Sequence, residues 1–133
     1  MNVRDIIKDV NSLADDQIPD EEVLSFINDA ISAINIEVNA VIPTISPYGF
    51  HMQEPAIPEK WQRMLIIPFA KARVKEKDSS QFEWEVGYEQ FFENLLLFKR
   101  NYRIPVEHQD TEGKKGISEA SILDNVPYFW GGW

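Results

Sequence analysis

Residues 20–38 repeat apolar side chains at the spacing of an α-helix. The stripe consists of Val23, Ile27, Ala30, Ile31, Ile34 and Val38, widened by Leu24 and Phe26. Steps of three and four residues place these side chains on one side of a helix. Asp20 is a candidate N-cap, and Glu21 and Glu22 favour the positive end of the helix dipole. The pattern predicts a long amphipathic helix whose apolar side needs a covering surface.

A shorter helix is predicted before it. Its apolar positions are Val3, Ile6, Ile7, Val10 and Leu13. Asn2 is a plausible N-cap, because its side chain can accept a hydrogen bond from an amide of the first turn. Pro19 ends this segment, since a proline cannot continue a helix.

Two further helices are predicted in the second half of the chain. The third begins near Pro58, a residue suited to a first helical turn, and runs towards Asp78. Pro68 lies within it and lacks the amide that would bond to the carbonyl of Met64, so we expect a kink there. The fourth follows a cap at Ser79 or Ser80 and runs to about Tyr102.

The segment VIPTISPYGFHMQEPAIPEK, residues 41–60, separates the second helix from the third. Its four prolines, Pro43, Pro47, Pro55 and Pro58, exclude a long helix. Interspersed aromatic and isoleucine residues predict an ordered loop packed on the helices. Together these segments predict an all-α body, a small bundle of four main helices with a long proline-rich loop between helices 2 and 3, over residues 1–103.

Residues 104–133 are expected to form an extended C-terminal arm. Helical periodicity stops after Tyr102, and glycine, proline and charged residues dominate the first half of the arm. The end is apolar and aromatic, which is typical of an anchoring segment because Trp and Tyr contribute much of the energy of interfaces. The candidate docking residues are Ile122, Leu123, Val126, Tyr128, Phe129, Trp130 and Trp133. Folding back onto the chain's own bundle is the alternative.

Charge and motif content argue against several classes of function. The chain has 13 Lys and Arg against 22 Asp and Glu, a net charge of −9, which suits phosphate binding poorly. It has no cysteine, and neither histidine has metal-ligand spacing. Nucleophile elbows, phosphate loops and dinucleotide-binding motifs are missing from the sequence. We expect no enzyme, cofactor or metal. We also expect no membrane span, because no apolar run approaches about 20 residues.

Three glutamates, Glu85, Glu89 and Glu93, recur every four residues on the fourth helix. A solvated face is the ordinary interpretation, because charged side chains are mostly exposed. The sharper hypothesis is that they face basic residues of a neighbouring subunit. The candidate basic residues for this contact lie on the third helix and are Lys71, Arg73, Lys75 and Lys77.

Two stretches give the chain a resemblance to a known family. They are IPDEEVLSFINDAISAINIEV in the second helix and WQRMLIIPFAKARVKEKDSSQFEWEVGYEQFFENLLLF, where a proline-interrupted helix leads into an aromatic one. Over residues 18–102 the chain resembles the head–tail connector, or adaptor, proteins of tailed bacteriophages.

The resemblance implies a structural protein of the virion neck, made in the host cytoplasm. Such adaptors form a ring, commonly of twelve subunits, beneath the portal protein and join it to the next neck (stopper) or tail protein. The genome passes through the lumen without sequence-specific binding. The family has no catalytic residues to carry over. The alternative hypothesis is a helical regulatory or interaction module that recruits one partner through the aromatic tail.

Overall fold

The computed structural model describes residues 1–12, 18–77 and 81–109, and its fold is all-α. Helix α1 is Val3–Asn11 and α2 is Asp20–Val38. Helix α3 has three successive segments, Glu59–Trp61, a π-helical turn at Gln62–Ile66, and Ile67–Lys77. Helix α4 is Gln81–Asn101. Short 3-10 turns lie at Phe50–Met52 and Val106–His108. The four predicted main helices are confirmed.

The helix ends follow the sequence closely, with one correction. Asn2 is the N-cap of α1, and its Oδ1 accepts a hydrogen bond from the Asp5 amide at 3.0 Å. Asp20 was expected to cap α2 but is its first helical residue. The carbonyl of Pro19 accepts from the Glu22 and Val23 amides and closes the first turn. The expected caps Ser79 and Ser80 lie outside the described residues.

The chain divides into two compact units. The larger one is formed by Met1–Val38 and Ile42–Arg103. The smaller one combines Asn39–Val41 with the chain from Ile104 onward. Within its described part, the Val41 amide donates to the His108 carbonyl at 2.7 Å.

The core of the larger unit lies where α3 packs against α4. Phe91 and Phe98 on α4 are fully buried. The ring of Phe91 meets Phe69 edge-on at a centroid distance of 5.0 Å, and Phe98 meets Trp61 in the same way at 5.2 Å. Truncating a buried Phe to Ala costs about 3–5 kcal/mol, so these two rings anchor α4 on the body.

Gly87 sets how closely α4 approaches α3. A Cβ atom at position 87 would lie 2.8 Å from the Ala72 Cβ and 3.3 Å from the Pro68 carbonyl oxygen. Both neighbours belong to a packed helix and cannot move away cheaply. The absence of a side chain at Gly87 therefore allows the two helices to touch here.

Three asparagines hold irregular segments of the chain by the same arrangement. Asn35 accepts from the Ile42 amide through Oδ1 and donates to the Ile42 carbonyl through Nδ2, both at 2.9 Å. Asn28 pairs in this way with the backbone of Ile45, at 2.8 and 3.1 Å. Asn11 does so with Ile18 at 3.3–3.4 Å. Each asparagine amide supplies the donor and acceptor that a neighbouring strand would supply in a sheet.

The loop between α2 and α3 is consequently ordered, as predicted. It buries Ile42, Ile45, Phe50, Pro55 and Ile57 against the helices. Gln62 lies beneath its end, fully buried, and its Nε2 lies 2.7 Å from the Ile57 carbonyl. Side-chain amides thus bond to backbone amides and carbonyls of this loop, where the prolines prevent regular secondary structure.

Candidate functional site

The outward face of α4 leaves large apolar side chains in solvent. Phe92 is 57% exposed and Leu96 is 62% exposed, one turn apart on the helix. Val86, 61% exposed, and Leu97, 40% exposed, lie further round. Clustered apolar exposure of this kind on a soluble protein typically marks an interaction surface.

Acidic residues continue this apolar surface along the helix. Glu85 and Glu89 are both exposed. At about 100° per residue they fall on the same stripe of α4 as Phe92 and Leu96. We call these four residues, Glu85, Glu89, Phe92 and Leu96, the α4 stripe. Within the described part of the chain, neither glutamate pairs with a basic side chain.

A groove runs between α1, α3 and α4 on another side of the same body, with a volume of about 440 Å³. Pro68, Ala72 and Gly87 form its narrow floor, where the helices approach most closely. Ile67, Val86 and Gln90 line its sides, together with Asp9. Its basic residues are Arg63, Lys71 and Lys75. We call it the basic groove, since it has three positive groups in a chain with a net charge of −9.

The structure separates the four basic residues that the sequence grouped together. Lys71 and Lys75 line the basic groove, and Lys71 Nζ lies 3.5 Å from Asp9 Oδ1. Arg73 lies elsewhere on α3, with its guanidinium 5.0 Å from the centre of the Phe69 ring. Lys77 forms an ion pair with Glu22 of α2. Of these four residues, Lys71 and Lys75 line the basic groove, and sequence reasoning missed Arg63 as its third basic residue.

The environment of Arg73 explains its separate position. Its guanidinium also lies 6.0 Å from the Tyr88 ring, so two aromatic faces hold it within its own subunit. Burial raises the pKa of Tyr88, and the charge of Arg73 opposes that rise. We interpret this cluster as part of the packing between α3 and α4.

The third glutamate of the predicted series, Glu93, is also exposed. Helical geometry places it between the α4 stripe and the flank of α4 that lines the basic groove. It therefore lies at the border of the two surfaces and belongs to neither.

The tip of the long loop forms a separate exposed feature. Tyr48 is 86% exposed and Met52 is 70% exposed. The turn between them is fixed by Gln53, whose Nε2 donates to the Tyr48 carbonyl at 2.9 Å and whose Oε1 accepts from the Ser46 amide at 3.3 Å. A rigid turn that presents an aromatic and a methionine is a suitable contact surface for another protein.

Near the start of the chain, the Met1 amine pairs with two carboxylates. The Met1 amine lies 2.5 Å from Glu54 Oε2 and 3.4 Å from Glu59 Oε1. The hydrogen bond from this amine lowers the pKa of Glu54, and the same bond raises the pKa of the amine. His51 Nε2 lies 2.7 Å from Asp20 Oδ2, which connects the loop to the start of α2.

Neither a metal cluster nor a membrane span occurs among the residues that the structure describes. Within residues 1–12, 18–77 and 81–109, no three His, Asp or Glu side chains are placed to hold a metal ion. No helix in those ranges is long and apolar enough to cross a membrane.

The predicted docking residues of the arm have no place in this site. Ile122, Leu123, Val126, Tyr128, Phe129, Trp130 and Trp133 lie outside the described residues.

Comparisons with protein-family models, with curated proteins and with solved structures found no match to this chain.

Proposed function

We propose that this protein is a structural head–tail connector, or adaptor, of a tailed bacteriophage. In this role it forms a ring beneath the portal protein and joins it to the next neck or tail protein. The work of such a subunit is mechanical. Many weak contacts add up because the ring presents them together.

The observation that carries the proposal is the outward face of α4. A body with a well-packed core leaves Phe92 57% and Leu96 62% exposed on this face. Fully burying an exposed side chain of this size contributes about 1.5–3 kcal/mol, so covering the exposed part of each could contribute roughly 1–2 kcal/mol. A subunit completed by its neighbours recovers this energy on assembly. The family resemblance over residues 18–102 supplies the particular kind of assembly.

The acidic character of the chain is compatible with a channel protein. A net charge of −9 disfavours adhesion to the phosphate backbone, so DNA can pass without being retained. We assign portal docking to the C-terminal arm, residues 104–133, for the aromatic content described above. The loop tip with Tyr48 and Met52 is suited to the next neck or tail protein.

Capture of binding partners during phage production provides the test. Affinity capture of the tagged chain during phage production should recover the portal and a second neck or tail protein, identified by mass spectrometry. Removing residues 110–133 should abolish portal recovery while far-UV circular dichroism retains the helical signal. Tyr48→Ser with Met52→Ser should instead lower recovery of the second protein. Normal portal docking by the truncated chain would refute the role of the arm.

The alternative is a helical interaction module that binds one host partner through its aromatic tail. Capture of one host protein, with no virion component, would favour this alternative and refute the adaptor proposal.

A further inference from the structure

The α4 stripe and the basic groove have complementary charge and complementary polarity. We infer that the α4 stripe of one subunit docks into the basic groove of a second copy of this chain. The inference rests on the proposed function, because it names the contact through which the proposed ring would close.

The spacing of the charges matches. Lys71 and Lys75 are four residues apart on α3, which is about 6 Å along a helix. Glu85 and Glu89 have the same separation on α4. Two helices packed side by side can therefore bring both glutamates opposite both lysines at once. Arg63, at the other end of the groove, extends the positive surface.

The apolar residues match as well. In the stripe, Phe92 and Leu96 follow the glutamates along α4. In the groove, Ile67 and Val86 lie beside a floor of small and cyclic residues. The close approach of α3 and α4 at Gly87 keeps this floor free of large side chains. Side chains of a docking helix can thus lie over this floor, in the manner of an amphipathic helix lying in a groove.

The existing interactions of the basic residues do not block the contact, although Lys75 also has an interaction within its own chain. Lys71 Nζ lies 3.5 Å from Asp9, and Arg63 Nε lies 3.2 Å from Glu59. Both pairs are partly exposed to solvent. Exposed pairs of this type contribute little and can exchange partners readily. Glutamates from a second copy add acceptors to the same basic groups.

The geometry also determines the kind of assembly. The stripe and the groove-lining flank of α4, which contains Val86 and Gln90, are roughly 110° apart around the helix axis. Each subunit can therefore donate its stripe to one neighbour and receive the stripe of another. Such a contact is heterologous, and repetition generates a closed ring or an open filament rather than a two-fold dimer.

The lack of cysteine in the chain permits a clean crosslinking test. Gln90→Cys places a thiol in the groove, and Leu96→Cys places one on the stripe, without altering any charge. The full chain is oxidised with a copper catalyst, and products are separated without reductant. We expect a mixture of the two single variants to give dimers, and each variant alone to remain monomeric. The double variant should give a ladder of multimers, because residues six apart on a helix are about 9 Å apart, too far for an internal disulfide.

Charge exchange tests the complementarity. Glu85→Lys with Glu89→Lys, in the Leu96→Cys chain, should lower the dimer yield about tenfold. Lys71→Glu with Lys75→Glu in the Gln90→Cys partner should restore it. Glu37→Cys, at an exposed position on α2, mixed with Gln90→Cys measures the background from random collision.

The double variant with Gln90→Cys and Leu96→Cys is then oxidised in purified phage particles. A ladder there, or from the purified chain, supports the contact. Only background crosslinking in both samples, or dimers from a single variant alone, overturns it. If particles contain the protein and neither sample gives a ladder, the contact fails and the adaptor function stands. If particles lack the protein, the adaptor function fails, and the purified chain alone decides the contact.

Discussion

Asn94 Nδ2 on α4 donates a hydrogen bond to the carbonyl oxygen of Met64 on α3 at 2.8 Å. In a regular helix this carbonyl would accept from the amide of residue 68, but residue 68 is proline. The chain passes this point in a π-helical turn, Gln62–Ile66. The two helices are therefore joined where Pro68 interrupts the regular hydrogen bonding of α3.

We expect Asn94→Ala to lower the free energy of unfolding by about 1–3 kcal/mol, because a half-buried carbonyl loses its donor. Urea unfolding measures this, with Gln90→Ala, an exposed position on the same helix, as the control. The loss should shrink in a Pro68→Ala background, where an amide becomes available to Met64. An equal loss in both backgrounds would argue against the hydrogen bond as the cause.

Gly87→Ala should destabilise the protein, although alanine normally favours a helix by about 1 kcal/mol over glycine. The added Cβ would meet Ala72 and the Pro68 carbonyl, and such overpacking typically costs about 1–3 kcal/mol. The melting temperature from thermal unfolding shows whether Gly87→Ala is less or more stable than the parent. Adding Ala72→Gly should recover part of the loss, whereas a higher melting temperature for Gly87→Ala alone would show that the helices separate easily.

The asparagine contacts predict a selective change in backbone protection. Asn35→Ala should accelerate hydrogen exchange at the Ile42 amide and leave the Ile45 amide protected, because Asn28 still holds Ile45. Asn28→Ala should do the reverse. Each variant serves as the control for the other. Equal acceleration at both amides would mean that the loop opens as one unit.

The contact between the Met1 amine and Glu54 predicts a window of pH dependence. The hydrogen bond lowers the pKa of Glu54 from its ordinary value of 4.5, so its contribution to stability is lost as pH falls through the lowered value. The pKa of the amine is raised from 8.0, so the contribution is lost as pH rises through the raised value. Urea midpoints of the parent and Glu54→Gln should differ between these limits and converge outside them. Glu37→Gln should show no such window, and acetylation of the amine should abolish it.

The sequence predicted the features that depend on residues close together along the chain. Helical periodicity predicted the four helices, and Pro68 alone indicated that the Met64 carbonyl would need another donor. It could not indicate Asn94, because that contact joins residues 30 positions apart. Asn28 and Asn35 resembled ordinary polar residues of α2, since their hydrogen-bond partners lie in a loop without regular structure.

The candidate site shows the same limit. Lys71, Arg73, Lys75 and Lys77 alternate along the sequence, whereas residues share one side of a helix at spacings of three and four. By this rule Lys71 and Lys75 lie on one side of α3, and Arg73 and Lys77, which are also four residues apart, lie on another. Arg63 satisfies it through Ile67, but its place in the basic groove depends on α1 and α4, which no local pattern indicates.

Because of the asparagine contacts, the residues that fix the loop and the residues at its exposed tip are under different evolutionary constraints. Ile42 and Ile45 are fixed by side chains of α2, and Gln53 fixes the turn from Ser46 to Tyr48. The tip itself is exposed, so it can change identity without disturbing the helices. Residues 47–49 are accordingly a natural place to graft a recognition peptide or a fluorescent tag. Selection for a new partner could act there while the scaffold remains unchanged.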